Sequence, residues 1–423
     1  MTSQTPIIPD SSVPKAPIAK GAQQDAIDPV PTFTNEPYTI APAGRLKNVE
    51  LLLSTRSNNP VPGGKLSLAL PANFRYADGD SGQRDFITDA VGKLSVSGVK
   101  GALIPGSYSL SATSGAQVAN ATVTVTGLGP LGSIPVGTNP IRIAVSPDGT
   151  RAYVCSSSTT VSVIDTATNR VLTNIPVGRG SMGVAISPDG TRAYVCNSDG
   201  ATVSVIDTAT NQVLTNIQVG DQPVGVAVSP DGTRAYVSNR ASFTISVIDT
   251  ATDRVLTNIP FGDFPGGIAV SPDGTRAYVC ASLDTVWVID TATDRVLTDI
   301  PVGKRPYEVA FSPDGTRAYV SNTGDATVSV IDTATDRVLT DIPVGADPME
   351  IAVSPDGTRV YVSHFFDRTV SVIDTATDRV LTNIPLGNGP AGVAVSPDGT
   401  CVYVCNLDST TVSVIGGQIR DTH

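Results

Sequence analysis

The chain has 423 residues, enough for two to four domains of about 100 to 200 residues or for one long repeat array with an appendage. Charged residues make up only 16%, while glycine and proline number 39 and 32, a turn-rich β composition that excludes a coiled coil or helical bundle. The formal charge of −11 argues against nucleic acid as a partner, because phosphate binding needs clustered Lys and Arg, and no apolar run is long enough to expect a transmembrane segment.

Residues 1–43 carry eight prolines and little apolar pattern, which predicts an extended or disordered arm. The first residues lack the positive charge and continuous apolar stretch of a signal peptide. The expected location is therefore the cytoplasm, or the cell surface or medium by a non-classical export route.

From residue 44 to 128 the pattern changes to alternating segments at 48–53, 65–70, 93–97, 107–112 and 119–125, the signature of a small β-sandwich. The string Thr88-Asp89-Ala90-Val91-Gly92-Lys93, then Gly106-Ser107-Tyr108 and Ala121-Thr122-Val123-Thr124-Val125, resembles the bacterial immunoglobulin-like domains of invasin and intimin type. That resemblance implies a spacer that positions the C-terminal domain.

Residues 129–417 are repetitive. Ser-Pro-Asp-Gly-Thr begins at Ser146, Ser187, Ser229, Ser271, Ser312, Ser354 and Ser396, and Ile-Asp-Thr-Ala-Thr begins at Ile164, Ile206, Ile248, Ile289, Ile331 and Ile373. Within one period four short β-branched segments stand out, at 141–146, 152–156, 160–164 and 170–175, and Ser-Pro-Asp-Gly suits the turn joining the first two. Four antiparallel strands at this period make one blade of a β-propeller. The seventh unit stops after its third strand, while residues 131–137, Leu-Gly-Ser-Ile-Pro-Val-Gly, match the fourth-strand string at 172–178. The expectation is an all-β chain whose seven-bladed ring is closed by that N-terminal strand, since an open array would expose two unpaired edges. Residues 418–423 form a short tail. Arg-Ala-Tyr-Val-Ser-Asn at 234–239 and Thr-Val-Ser-Val-Ile-Asp-Thr-Ala-Thr at 202–210 resemble the YVTN-type β-propeller repeat. The resemblance implies cell-surface or surface-layer roles for some members, and similar seven-bladed rings occur in lactonases; fold alone does not choose between them.

Chemistry-bearing motifs are sparse. Cys155, Cys196, Cys280 and Cys405 occupy one repeat position, held elsewhere by Ser238, Ser321 and Ser363, which reads as a demand for a small buried side chain. Free thiols are expected, because neighbouring blades stand about 10 Å apart. With only His364 and His423 there is no zinc set and no Ser-His-Asp arrangement, and no cofactor motif is present. Most propeller acids belong to the repeated turns, where Asp bonds local amides; a calcium role for them stays open, although no calcium-loop spacing is present. Trp287, standing where other blades have Ser, reads as a packing wedge.

The turns joining strands one to two and three to four should lie on one face of the ring and be nearly invariant; the other connections should form a varied face. Candidate binding residues there are Lys304, Arg305, Tyr307, Glu308, Met349, Glu350, His364, Phe365, Phe366 and Arg368, with Arg142 across the ring. Adjacent Phe365 and Phe366 beside charges make a plausible partner patch. The leading expectation is a non-enzymatic binding or adhesion protein contacting a protein or glycan. A lactonase-like hydrolase using the paired carboxylates Glu308 and Glu350, and a component of a secreted toxin or injection assembly, are the alternatives.

Overall fold

The computed structural model describes residues 29–36, 38–40, 48–71, 74–78, 80–99, 106–125 and 128–417. The chain divides into two compact units, Met1–Val125 and Thr126–His423.

In the first unit, alternation of apolar and polar residues builds two sheets around one core. β1 (Val30–Phe33), β3 (Val49–Ser54) and β6 (Lys93–Val96) form a three-stranded sheet in the order β1-β3-β6. β2 (Tyr38–Ile40), β8 (Gln117–Val125), β7 (Gly106–Ser114), β4 (Lys65–Ala69) and β5 (Gln83–Ile87) form a five-stranded sheet in that spatial order, with β2 parallel to β8. Leu51 and Leu53 from one sheet and Leu66, Leu68, Leu110 and Val123 from the other meet in the core with Phe74. The arm expected over residues 1–43 needs correcting, because β1 and β2 belong to the sandwich. Phe33 and Tyr38 are buried, and Pro31 is tolerated because β1 is an edge strand whose proline needs no ladder partner on its open side. Most of the rest of that segment lies outside the described residues. β5 was also unforeseen, since its burial alternates only weakly.

Among the described residues the second unit forms seven four-stranded antiparallel sheets. The first runs from Pro140–Val145 through Arg151–Ser156 and Thr160–Asp165 to Arg170–Pro176, in sequence order from inside to outside. The seventh has Pro390–Val395, Cys401–Asn406 and Thr411–Gly417, and its fourth strand is β9 (Leu128–Pro135), paired with Thr411–Gly417. Apolar cores lie between blades rather than within them: Ile134, Tyr403 and Val414 of the seventh blade pack with Ile143 and Val154 of the first. Turn glycines mark the same blade-to-blade packing. Each sits at positive φ, the left-handed region glycine enters without cost, and each faces the turn proline of the preceding blade, Gly190 facing Pro147 and Gly149 facing Pro397.

The Cys/Ser position sits on the second strand, and in blades one, five and six it reaches the next blade, while Ser238 Oγ of blade three is buried without a partner among the described residues. Ser321 Oγ donates to Met349 O at 2.6 Å, Ser363 Oγ to Ala391 O, and Cys155 Sγ approaches Gly183 O at 3.7 Å. A small side chain with a weak donor meets that need, so thiol and hydroxyl interchange. Trp287 stacks on Phe261 at 4.4 Å in the core between blades three and four.

Candidate functional site

The inner strands begin with a register shift after their first residue, between Pro140 and Arg142 in blade one and between Pro306 and Glu308 in blade five. Such a bulge re-aims the next side chains. Four blades carry glycine at the following position, Gly183, Gly225, Gly267 and Gly392, whereas blades one, five and six carry Arg142, Glu308 and Glu350. The glycines make room: a Cβ on Gly267 would collide with the Glu308 carboxylate, and one on Gly392 with the Arg142 backbone.

Arg142 fills that space by pairing with both acids. Its Nη1 donates to Glu308 Oε2 and lies 2.6 Å from Glu350 Oε2 and 2.7 Å from Oε1. Its guanidinium carbon also stands 5.5 Å from the centre of the Tyr307 ring. All three charged side chains are largely buried. Burial opposes the Arg142 charge, but Glu308 and Glu350 outweigh it and hold the guanidinium protonated well above its ordinary range. Burial pushes Glu350 up to about 8, only partly offset by Arg142, and the nearby Glu308 adds to the rise. Two carboxylates thus share one cation.

Above this cluster the connections between strands two and three and between blades form a common face. They bond to one another within a blade: Arg240 N donates to Gln222 O at 2.9 Å and Thr323 N to Arg305 O at 3.0 Å. On that face is a cavity of about 350 Å³, lined by Arg142, Met182, Arg240, Phe264, Arg305 and Tyr307 among others. The opposite face carries the repeated turns, where Thr166 N donates to Thr150 O at 3.1 Å.

The sequence candidates separate into groups. Arg142, Tyr307, Glu308 and Glu350 come together. Met349 is half-buried beside them and accepts the Ser321 hydroxyl through its carbonyl. Arg305 reaches the cavity, while Lys304 is exposed and lies 3.6 Å from Asp325. Phe366 and Arg368 are exposed; Phe365 is half-covered, edge-on to Phe366 at 5.3 Å and against Gly389. His364, expected on the contact face, is fully buried. It takes the place that Asn197, Asn239, Asn322 and Asn406 hold in other blades, where the amide donates to a third-strand serine; His364 Nε2 meets Ser371 Oγ at 2.7 Å. Burial depresses its pKa to about 4 against the pull of Asp367, so it is a neutral packing element.

Sequence reasoning passed over Arg240, Phe243 and Phe264. Phe243 and Phe264, from blades three and four, stack with centroids 4.6 Å apart. The available signal was a bulky side chain in a loop whose counterparts are small or polar.

A family model described as YNCE-like beta-propeller matches residues 309–399. The chain is similar to a solved structure described as Kuenenia stuttgartiensis Hydrazine Synthase, with 27% identity, a TM-score of 0.62, and coverage of 67% of this chain and 98% of that one. No curated protein matches.

Proposed function

We propose that this propeller is a non-catalytic recognition module whose varied face docks a protein or glycan, and that the preceding sandwich serves as an immunoglobulin-like spacer, as in an adhesin. A binding or scaffold role is what a β-propeller of this kind supports in general. The observation that carries the finer reading is the asymmetry of exposed apolar groups. Phe243, Phe264, Leu283 and Phe366 are all exposed on the connections of the varied face, while the repeated turns opposite are polar. Exposed rings, among them the Phe243–Phe264 pair whose Phe264 lines the cavity, are a recognition feature.

The hydrolase alternative asks for a carboxylate free to act as a base. Both candidates are engaged by Arg142, which disfavours that role. The toxin alternative rests on no observation of the described residues.

The test uses the full chain in cell-surface retention and glycan-array assays. Replacing Phe243, Phe264, Phe365 and Phe366 by Ser together should abolish retention, whereas Asp189→Ala on the repeated face should leave it intact. Retention that survives the four-site variant would sink the reading. So would lactone hydrolysis that disappears in Glu308→Gln or Glu350→Gln.

A further inference from the structure

The cavity on the varied face differs in chemistry from the ion-pair cluster beneath it. Its volume of about 350 Å³ falls within the range of small-molecule sites, roughly 300 to 1,000 Å³. Arg142, one of its walls, is already balanced by two carboxylates. Arg240 and Arg305 are engaged less: both are exposed and line the cavity, neither makes a side-chain hydrogen bond or ion pair among the described residues, and the Arg305 charge is felt only at longer range by Asp347.

No acid lines this space among the described residues. Asp263, next to Phe264, is turned into its own loop. It accepts from Phe264 N at 2.7 Å, Ser282 Oγ at 2.7 Å and Leu283 N at 2.9 Å. A chain with a formal charge of −11 therefore presents, at one concave spot, two guanidiniums whose hydrogen-bond donors are not taken by a carboxylate of the described residues.

The remaining walls narrow the choice of anion. Phe264, 46% exposed, and Tyr307 offer ring surfaces. Ser282 and Thr323 offer hydroxyl oxygens whose protons are used within the protein, on Asp263 and on Arg305 O, so they remain free to accept. Guanidinium forks match carboxylates, aromatic faces match the C–H face of a pyranose, and hydroxyl acceptors match its O–H groups. A bare phosphate would use the arginines and leave the rings and hydroxyls idle.

We propose that this cavity binds a carboxylated sugar unit, with the carboxylate held by Arg240 and Arg305 and the ring resting on Phe264 and Tyr307. The proposal rests on the recognition reading above and gives its ligand a chemical class.

The experiment is calorimetric titration of the full chain with glucuronate, with glucose and inorganic phosphate as comparators. Saturable one-to-one binding of glucuronate, at least about tenfold tighter than either comparator, is the expected result. Two variants test the arginines with residues that other blades already carry at those places. They are Arg240→Ser, as in Ser198 and Ser282, and Arg305→Gln, as in Gln222, whose φ of 52° matches the 53° of Arg305. Each should weaken glucuronate about tenfold with an unchanged melting temperature. Phe264→Ser should weaken glucuronate and spare phosphate.

Phosphate binding as tight as glucuronate would overturn the sugar assignment and leave an anion site only. Equal binding of glucose and glucuronate would overturn the role of the arginines. Absence of glucuronate binding overturns the proposal outright, and the retention assay then separates its failure from that of the broader reading: retention that still depends on the four phenylalanines leaves the recognition module standing.

Discussion

The two faces of the propeller are made from the same repeat and end in opposite conditions. On the repeated face the turn carboxylates are used locally. Asp148 accepts from Thr150 N at 3.0 Å, Asp189 from Thr191 N at 3.0 Å and Asp231 from Thr233 N at 3.0 Å, each also taking a serine hydroxyl. The Arg that opens the second strand then reaches the next blade: Arg192 pairs with Asp253 at 2.9 Å, Arg234 with Asp294 at 3.0 Å and Arg276 with Asp336 at 2.7 Å. On the varied face, arginines and rings are left over. The difference teaches that near-identity among blades marks side chains with structural partners, and that ligands are to be sought where partners run out.

The strongest way to break the comparison is in the channel, where varied positions have nonetheless become structural. Arg142→Met strands two buried carboxylates and should cost about 3 to 5 kcal/mol in urea unfolding. Adding Glu308→Gln and Glu350→Gln should restore most of it, and an unmoved midpoint in the single variant would show that the acids do not depend on Arg142.

Acid and base should then act on different groups. Glu350 has its folded pKa raised from 4.5 to about 8, so its contribution is present at low pH and is lost as pH rises through about 8. The slope reaches at most about 1.4 kcal/mol per pH unit, and Glu350→Gln should flatten it. His364 has the opposite sign. Its folded pKa is lowered from 6.5 to about 4, so its contribution is present above 6.5 and is lost as pH falls toward 4. His364→Asn installs the residue of the other blades and should remove that acid sensitivity; unfolding profiles that keep their limbs in these variants would contradict both assignments.

A smaller effect sharpens the uniformity of the repeated face. Asp189→Ala and Asp231→Ala each remove the same hydrogen bonds and should each cost about 1 kcal/mol, equal between blades. Donation by Ser187 and Ser229 holds these carboxyls below their usual range, so their contribution is lost as pH falls. Unequal costs would show that the blades are not energetically equivalent. The smallest stability effect belongs to the cavity edge: Phe243→Ser with Phe264→Ser should change unfolding by less than about 1 kcal/mol, because both rings are half-exposed, while removing retention. A larger loss would reassign the pair to the core.

Much of this was open to reading. The repeated strings carried turn chemistry and β-branched runs in phase, and a missing fourth strand at one end with a matching string at the other pointed to β9. The Cys/Ser position read as small and buried, and the structure adds the carbonyl of the next blade that explains it. His364 misled because a polar residue beside two phenylalanines looks like surface. Its burial follows from the serine it faces on the third strand, a partner seven residues away whose direction depends on strand pairing. β1 and β2 were hidden among prolines, since an edge strand needs few apolar residues when the sheet beside it supplies the core.

The amino-acid order alone determined what depends on short range: turns, strand period, the number of repeat strings and the split between uniform and varied connections. Tertiary structure decided what depends on distance across the ring. Arg142 is 166 residues from Glu308, and only the convergence of inner strands makes them one cluster. Likewise Arg240, Phe264 and Arg305 belong to three blades, and a shared cavity arises when loops of successive blades crowd one face.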